Sequence, residues 1–120
     1  MAQSAHGVDR NDLEKGFDKG VARALAGGLK ENDIRNDRDE LLDKIQEIME
    51  QISSDEEKEG KTRPNWSSRG VEHAAENITT FEIAWRVERP PTSKSIKEDE
   101  IRDYLLAFRR DSNCWSHNGD

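Results

Sequence analysis

Between Leu41 and Ile52, apolar side chains return every three or four residues: Leu41, Leu42, Ile45, Ile48, Met49 and Ile52. At 100° per residue they fall in one stripe roughly 120° wide. Asp39, Glu40, Asp43, Glu47 and Glu50 hold the opposite side. The spacing predicts an amphipathic helix from about 37 to 52, with Ile34 joining the stripe if the helix starts at Asp33. A stripe of this kind has to be covered to be stable in water. Read as heptads, Leu41 and Ile48 take the d position and Ile45 and Ile52 the a position. That is about two heptads, short of the three to four that mark a coiled coil. The cover is therefore a first helix of the same chain or a second copy of it.

Composition sharpens that choice. Leu, Ile, Val and Phe number 22 of 120 residues, while 38% of the chain is charged. Mean hydropathy is −1.07. The aliphatic and Phe content lies just under the ~20% level at which a charged chain reads as disordered. A large dry core is excluded, so apolar faces left over become candidates for contact with other molecules. The net charge of −7 belongs to the first half: residues 1–60 carry 9 Lys/Arg against 16 Asp/Glu, and residues 61–120 carry 10 of each. A net-acidic chain is repelled by phosphate backbones, which argues against general nucleic-acid binding. Interspersed basic residues also make it a poor DNA mimic.

The rest of the chain divides by pattern. Residues 1–10 read as a disordered leader. A first helix is expected from about Asn11 to Gly28, capped by Asp9, Asn11 or Asp12, with Leu13, Phe17, Val21, Ala24 and Leu25 on one face. Gly16, Gly20 and Gly27 share a narrow arc beside that face. Each costs about 1 kcal/mol against Ala inside a helix. They mean either a marginal helix that ends at Gly27-Gly28 or a helix approached closely by another backbone. Residues 11–52 thus form an acidic helical region. Residues 53–70 are polar, interrupted by a proline and two glycines, and read as a flexible linker. Within it Ser53 and Ser54 precede Asp55, Glu56, Glu57 and Glu59, a pattern an acidophilic kinase recognises, so both are candidate phosphorylation sites.

Residues 71–110 read as a small strand–helix module. After a short amphipathic piece at 71–75, Phe81, Ile83, Trp85 and Val87 alternate with Glu82, Ala84, Arg86 and Glu88. Strict alternation with β-branched and aromatic residues predicts a strand from Ile78 to Arg89, ended by Pro90-Pro91. A lone strand leaves its ladder groups unpaired. Its partner is then a poorer segment near 61–73, the same strand in another copy, or a sheet edge on another protein. Ser95 and Glu98 form a capping box for a last helix with Ile101, Tyr104, Leu105 and Phe108 as its apolar stripe. Residues 111–120 read as a loose tail. The fold class expected is α+β, mainly α: two N-terminal helices as a hairpin or short coiled coil, a linker, one strand and a C-terminal helix.

Chemistry is notable for what is missing. Ala26-Gly27-Gly28-Leu29 lacks the Lys-Ser/Thr of a phosphate loop. Cys114 and His117 have a ligand-like gap but no second pair to complete a zinc site. His73, flanked by Glu72 and Glu76 at the border of the linker, reads as a solvated helix turn rather than a catalytic base. No catalytic residue, cofactor or metal is assigned. One cysteine excludes an intrachain disulfide. With no apolar run long enough for a membrane span, the expected setting is the cell interior, cytoplasm or nucleus, away from membranes. The expectation is a non-enzymatic regulatory or protein-interaction factor that self-associates, a dimer first, or folds on a partner. Leu41, Ile45, Ile48, Met49 and Ile52 carry the helical contact, and Phe81, Ile83, Trp85 and Val87 the strand contact. The alternative is a nucleic-acid-associated regulator using the basic C-terminal helix with Arg102, Arg109 and Arg110.

Overall fold

The computed structural model describes residues 8–30, 38–60, 66–87 and 98–111, with the side chains of Arg110 and Asp111 left aside. Among the described residues there are four helices and no strand: α1 (Arg10–Ala26), α2 (Arg38–Lys58), α3 (Ser68–Val87) and α4 (Glu98–Asp111). The fold is all-α. The leader's Met1 to Gly7, Ile34, the proline pair, Ser95 of the capping box, Cys114, His117 and residues 112–120 of the tail lie outside the described residues.

Local chemistry explains the helix ends. The Asp9 carboxylate accepts the Asn11 amide at 2.9 Å, capping α1. At the other end the Gly28 amide donates to Leu25 and the Leu29 amide to Ala24, with Gly28 at φ +105°. That closing pair of bonds needs a left-handed residue, which Gly supplies without strain. Ser67 caps α3, its hydroxyl accepting the Gly70 amide at 2.9 Å.

The expected strand is the main correction. Residues 78–87 continue α3. The buried positions of that helix are Gly70, Val71, Ala74, Ala75, Ile78, Thr79, Glu82 and Ile83, a spacing of three and four rather than two. The local alternation from Phe81 to Val87 is real, but the register is inherited from the residues upstream. A helix also satisfies its own backbone groups, whereas a strand without a partner leaves them open. In helical register Ile83 is buried, Phe81 and Val87 are exposed, and Trp85 lies between. The Phe81 and Trp85 rings meet at a tilt of 56°, centroids 6.0 Å apart.

The proposed linker is also shorter than its polarity implied. Ser53 to Lys58 are the last turns of α2, and 68–70 open α3. Trp66, inside that polar stretch, is a core residue at 5% exposure.

The core is one cluster drawn from all four helices: Leu13 of α1, the whole α2 stripe, Val71, Ala74, Ala75 and Ile78 of α3, and Ile101 and Leu105 of α4. Phe17, Trp85, Tyr104 and Phe108 pack against its edge. Burying a Leu or Ile contributes about 1.5–3 kcal/mol, so the few such residues available are concentrated rather than scattered.

The tightest contact is between α1 and α3. A Cβ built on Gly16 would lie 2.4 Å from the Glu72 carbonyl oxygen and 2.6 Å from the Ala75 Cβ. One on Gly20 would lie 2.8 Å from the Thr79 Cβ and 2.9 Å from the Glu76 carbonyl oxygen. The two backbones touch because neither glycine carries a side chain. Position 16 faces 72–75 and position 20 faces 76–79, so α1 and α3 run parallel. Gly27 does not belong to this seam and sits at the end of α1.

Candidate functional site

The residues that sequence reasoning assigned to contact with another molecule divide sharply. Leu41, Ile45, Ile48, Met49 and Ile52 are between 0% and 6% exposed within a single chain. Their stripe faces the other helices of the same molecule, and heptad spacing is here the signature of an internal core. Ile83 is likewise buried at 4%. Phe81 and Val87 are exposed at 51% and 38%, and Trp85 is half-buried.

Ser53 is buried, its hydroxyl accepting the Trp66 indole N–H at 3.1 Å. The same N–H reaches the Met49 carbonyl at 3.1 Å. Ser54, half-buried, lies inside α2 rather than beyond its end. A kinase would have to open this end of the helix before reaching the Ser53 hydroxyl.

The basic helix proposed for nucleic acid is also partly engaged. Arg109 is 5% exposed. Its Nε donates to both Glu56 oxygens at 3.1 and 3.0 Å, and its guanidinium lies 4.5 Å above the Trp66 ring. Glu56, Trp66 and Arg109 therefore clasp the C-terminal ends of α2 and α4 to the start of α3. Arg86 is held in an ion pair with Glu82, with side chains 14% and 8% exposed.

The carboxylates beside His73 serve α1. Glu72 pairs with Lys19, and Glu76 with Arg23 at 3.3 Å. The Lys19 hydrogen bond is the main cause holding the Glu72 carboxyl below its usual range, and the same bond raises Lys19. His73 stacks on Phe108, centroids 6.0 Å apart. Among the described residues no three His, Cys, Asp or Glu side chains converge as a metal site would require. None of the described helices is long and apolar enough to cross a membrane.

Two clefts stand open among the described residues: a charged one of about 800 Å³ bordered by Lys19, Arg69, Glu72, His73, Glu76 and Phe108, and a more apolar one of about 430 Å³ between α3 and α4, lined by Asn77, Ile78, Phe81, Glu100, Ile101, Asp103 and Tyr104. The helices cross it antiparallel, since His73 meets Phe108 and Asn77 meets Tyr104. Ile78 and Ile101, 3% and 1% exposed, make its floor, and Phe81 stands as an exposed wall. At one side the Asn77 amide donates to the Tyr104 hydroxyl at 2.8 Å. Burial is the larger influence on Tyr104 and raises its pKa, so the phenol keeps its proton and can donate it.

Sequence reasoning singled out Phe81 but gave it the wrong secondary structure. It placed Tyr104 and Ile101 in the apolar stripe of the last helix. Asp103 carried no signal of its own. The usable clue was a bulky aromatic, between Thr80 and Glu82, on a chain poor in apolar residues. Compared with protein-family models, curated proteins and solved structures, the chain matches none.

Proposed function

We propose that this chain is a non-enzymatic helical interaction module that binds another protein through the α3–α4 cleft. The observation that carries this reading is Phe81. It is the most exposed of the large apolar side chains among the described residues, at 51%, and it borders a cleft with an apolar floor. A chain with so little apolar material loses stability by leaving an aromatic in water unless something covers it. The cleft volume falls within the ~300–1,000 Å³ span of ordinary ligand clefts. A groove between two antiparallel helices is also the shape that receives a third amphipathic segment.

The polar groups support binding rather than catalysis. Glu72, Glu76, Glu56 and Arg109 hold helices together, and Glu82 pairs with Arg86 within α3. A photo-crosslinking amino acid at position 81 of the full chain, expressed in its source cells, tests the reading. A discrete protein adduct from position 81, absent when the same group replaces Glu47 on the exposed side of α2, is the expected result. Equal labelling from both positions, or none from position 81, would contradict it.

A further inference from the structure

The charge around the cleft narrows what fits there. Its lining carries two carboxylates, Glu100 and Asp103, and among the described residues no cationic side chain. Both are exposed, and Glu98 and Asp99 extend the negative potential along the first turn of α4. Elsewhere four described carboxylates are paired with a cation on another helix: Glu72 with Lys19, Glu76 with Arg23, Glu56 with Arg109, and Asp43 with Arg10. Among the described residues neither Glu100 nor Asp103 is in an ion pair. An apolar slot with an acidic rim on one helix selects against acidic or neutral segments through desolvation and repulsion, and selects for cations beside an apolar anchor.

Resting on the reading above, we infer that the α3–α4 cleft takes an amphipathic segment of another protein in which a bulky apolar side chain is flanked by Lys or Arg. The apolar side chain seats against Ile78, Phe81 and Ile101. The flanking cations meet Glu100 and Asp103. The Tyr104 hydroxyl, which accepts from Asn77, keeps its own proton to donate to a carbonyl of the segment. Burial of the anchor supplies affinity, and the acidic rim supplies the choice of partner and the on-rate.

The test is selection from a displayed library of short random peptides on the immobilised full chain, followed by affinity measurement. Parent, Phe81→Ser and Glu100→Lys/Asp103→Lys proteins are compared. All the altered residues are exposed, and far-UV circular dichroism checks that each variant keeps its helices. The expected peptides pair a bulky apolar residue with Lys or Arg and bind both variants roughly tenfold or more weakly, about 1.4 kcal/mol. Peptides that need Phe81 but show no preference for cations would overturn the inference and leave the cleft reading standing. Peptides indifferent to Phe81→Ser, or no enrichment over bare support, would overturn the inference, and the crosslink at position 81 then decides the reading separately. A dimer that Phe81→Ser dissolves would make the occupant a second copy of the chain and would also overturn it.

Discussion

Two glycines and one arginine show how much a single position does in a small core. Gly16 and Gly20 let α1 meet the backbone of α3, and a methyl group at either would stand within 3 Å of atoms that cannot swing away. Gly16→Ala and Gly20→Ala gain about 1 kcal/mol of helix propensity, yet the forced separation of the helices costs more. Each is expected to destabilise by about 1–3 kcal/mol net, read as a lower thermal midpoint. Gly27→Ala, whose new Cβ would find its nearest atoms at 3.5 Å, is expected to be neutral or slightly stabilising. If the glycines merely weakened the helix, the variants at 16 and 20 would raise the midpoint, so the sign alone decides. Arg109 gives the second prediction. Arg109→Ala removes the guanidinium that bonds the Glu56 carboxylate, 14% exposed, and the cation above Trp66. The expected loss is about 1–3 kcal/mol of stability. An unchanged midpoint in urea or heat would show that the clasp does not form.

At the scale of helices, legibility follows from how local each signal is. The α2 stripe, the Asp9 cap and the α4 stripe are written within a few residues of themselves, and each corresponds to an observed element. The glycine arc was legible as a question but not as an answer, because its meaning sits in Ala75 and Thr79 on a distant helix. α3 was misread for the same reason. Over Phe81–Val87 the alternation fits a strand, and the helical register comes from upstream, where Ala75 and Thr79 meet Gly16 and Gly20. The cleft was the least legible feature, since it exists only where α3 and α4 lie side by side.

The α1–α3 pair also makes a prediction about pH. Glu72 is depressed by Lys19, so its contribution is present above the ordinary carboxylate range and is lost as pH falls through the lowered folded value. Lys19 is raised, so its contribution is present below the ordinary lysine range and is lost only as pH rises through the raised value. Between about pH 5 and pH 10 the pair is intact. Lys19→Met is expected to lower the midpoint slightly at neutral pH, with a difference from the parent that fades below pH ~4. A difference that stayed constant down to strong acid would mean that Lys19 acts through packing instead.

At the scale of the whole molecule, a chain poor in apolar residues closes its α2 stripe inside itself, and the reading proposed above keeps the α3–α4 cleft for another protein. On this account Ile45→Asp/Ile48→Asp unfolds the protein at every concentration, since both side chains are between 0% and 3% exposed in one chain. Circular dichroism across a dilution series reads that outcome, and a folded monomeric double variant would contradict it. The most direct test is light scattering after size-exclusion chromatography of the full chain over a wide concentration range. The expected result is a monomer of 13.7 kDa throughout. A dimer that persists on dilution and survives Phe81→Ser would mean that the α2 stripe is shared between chains, and the account would fail.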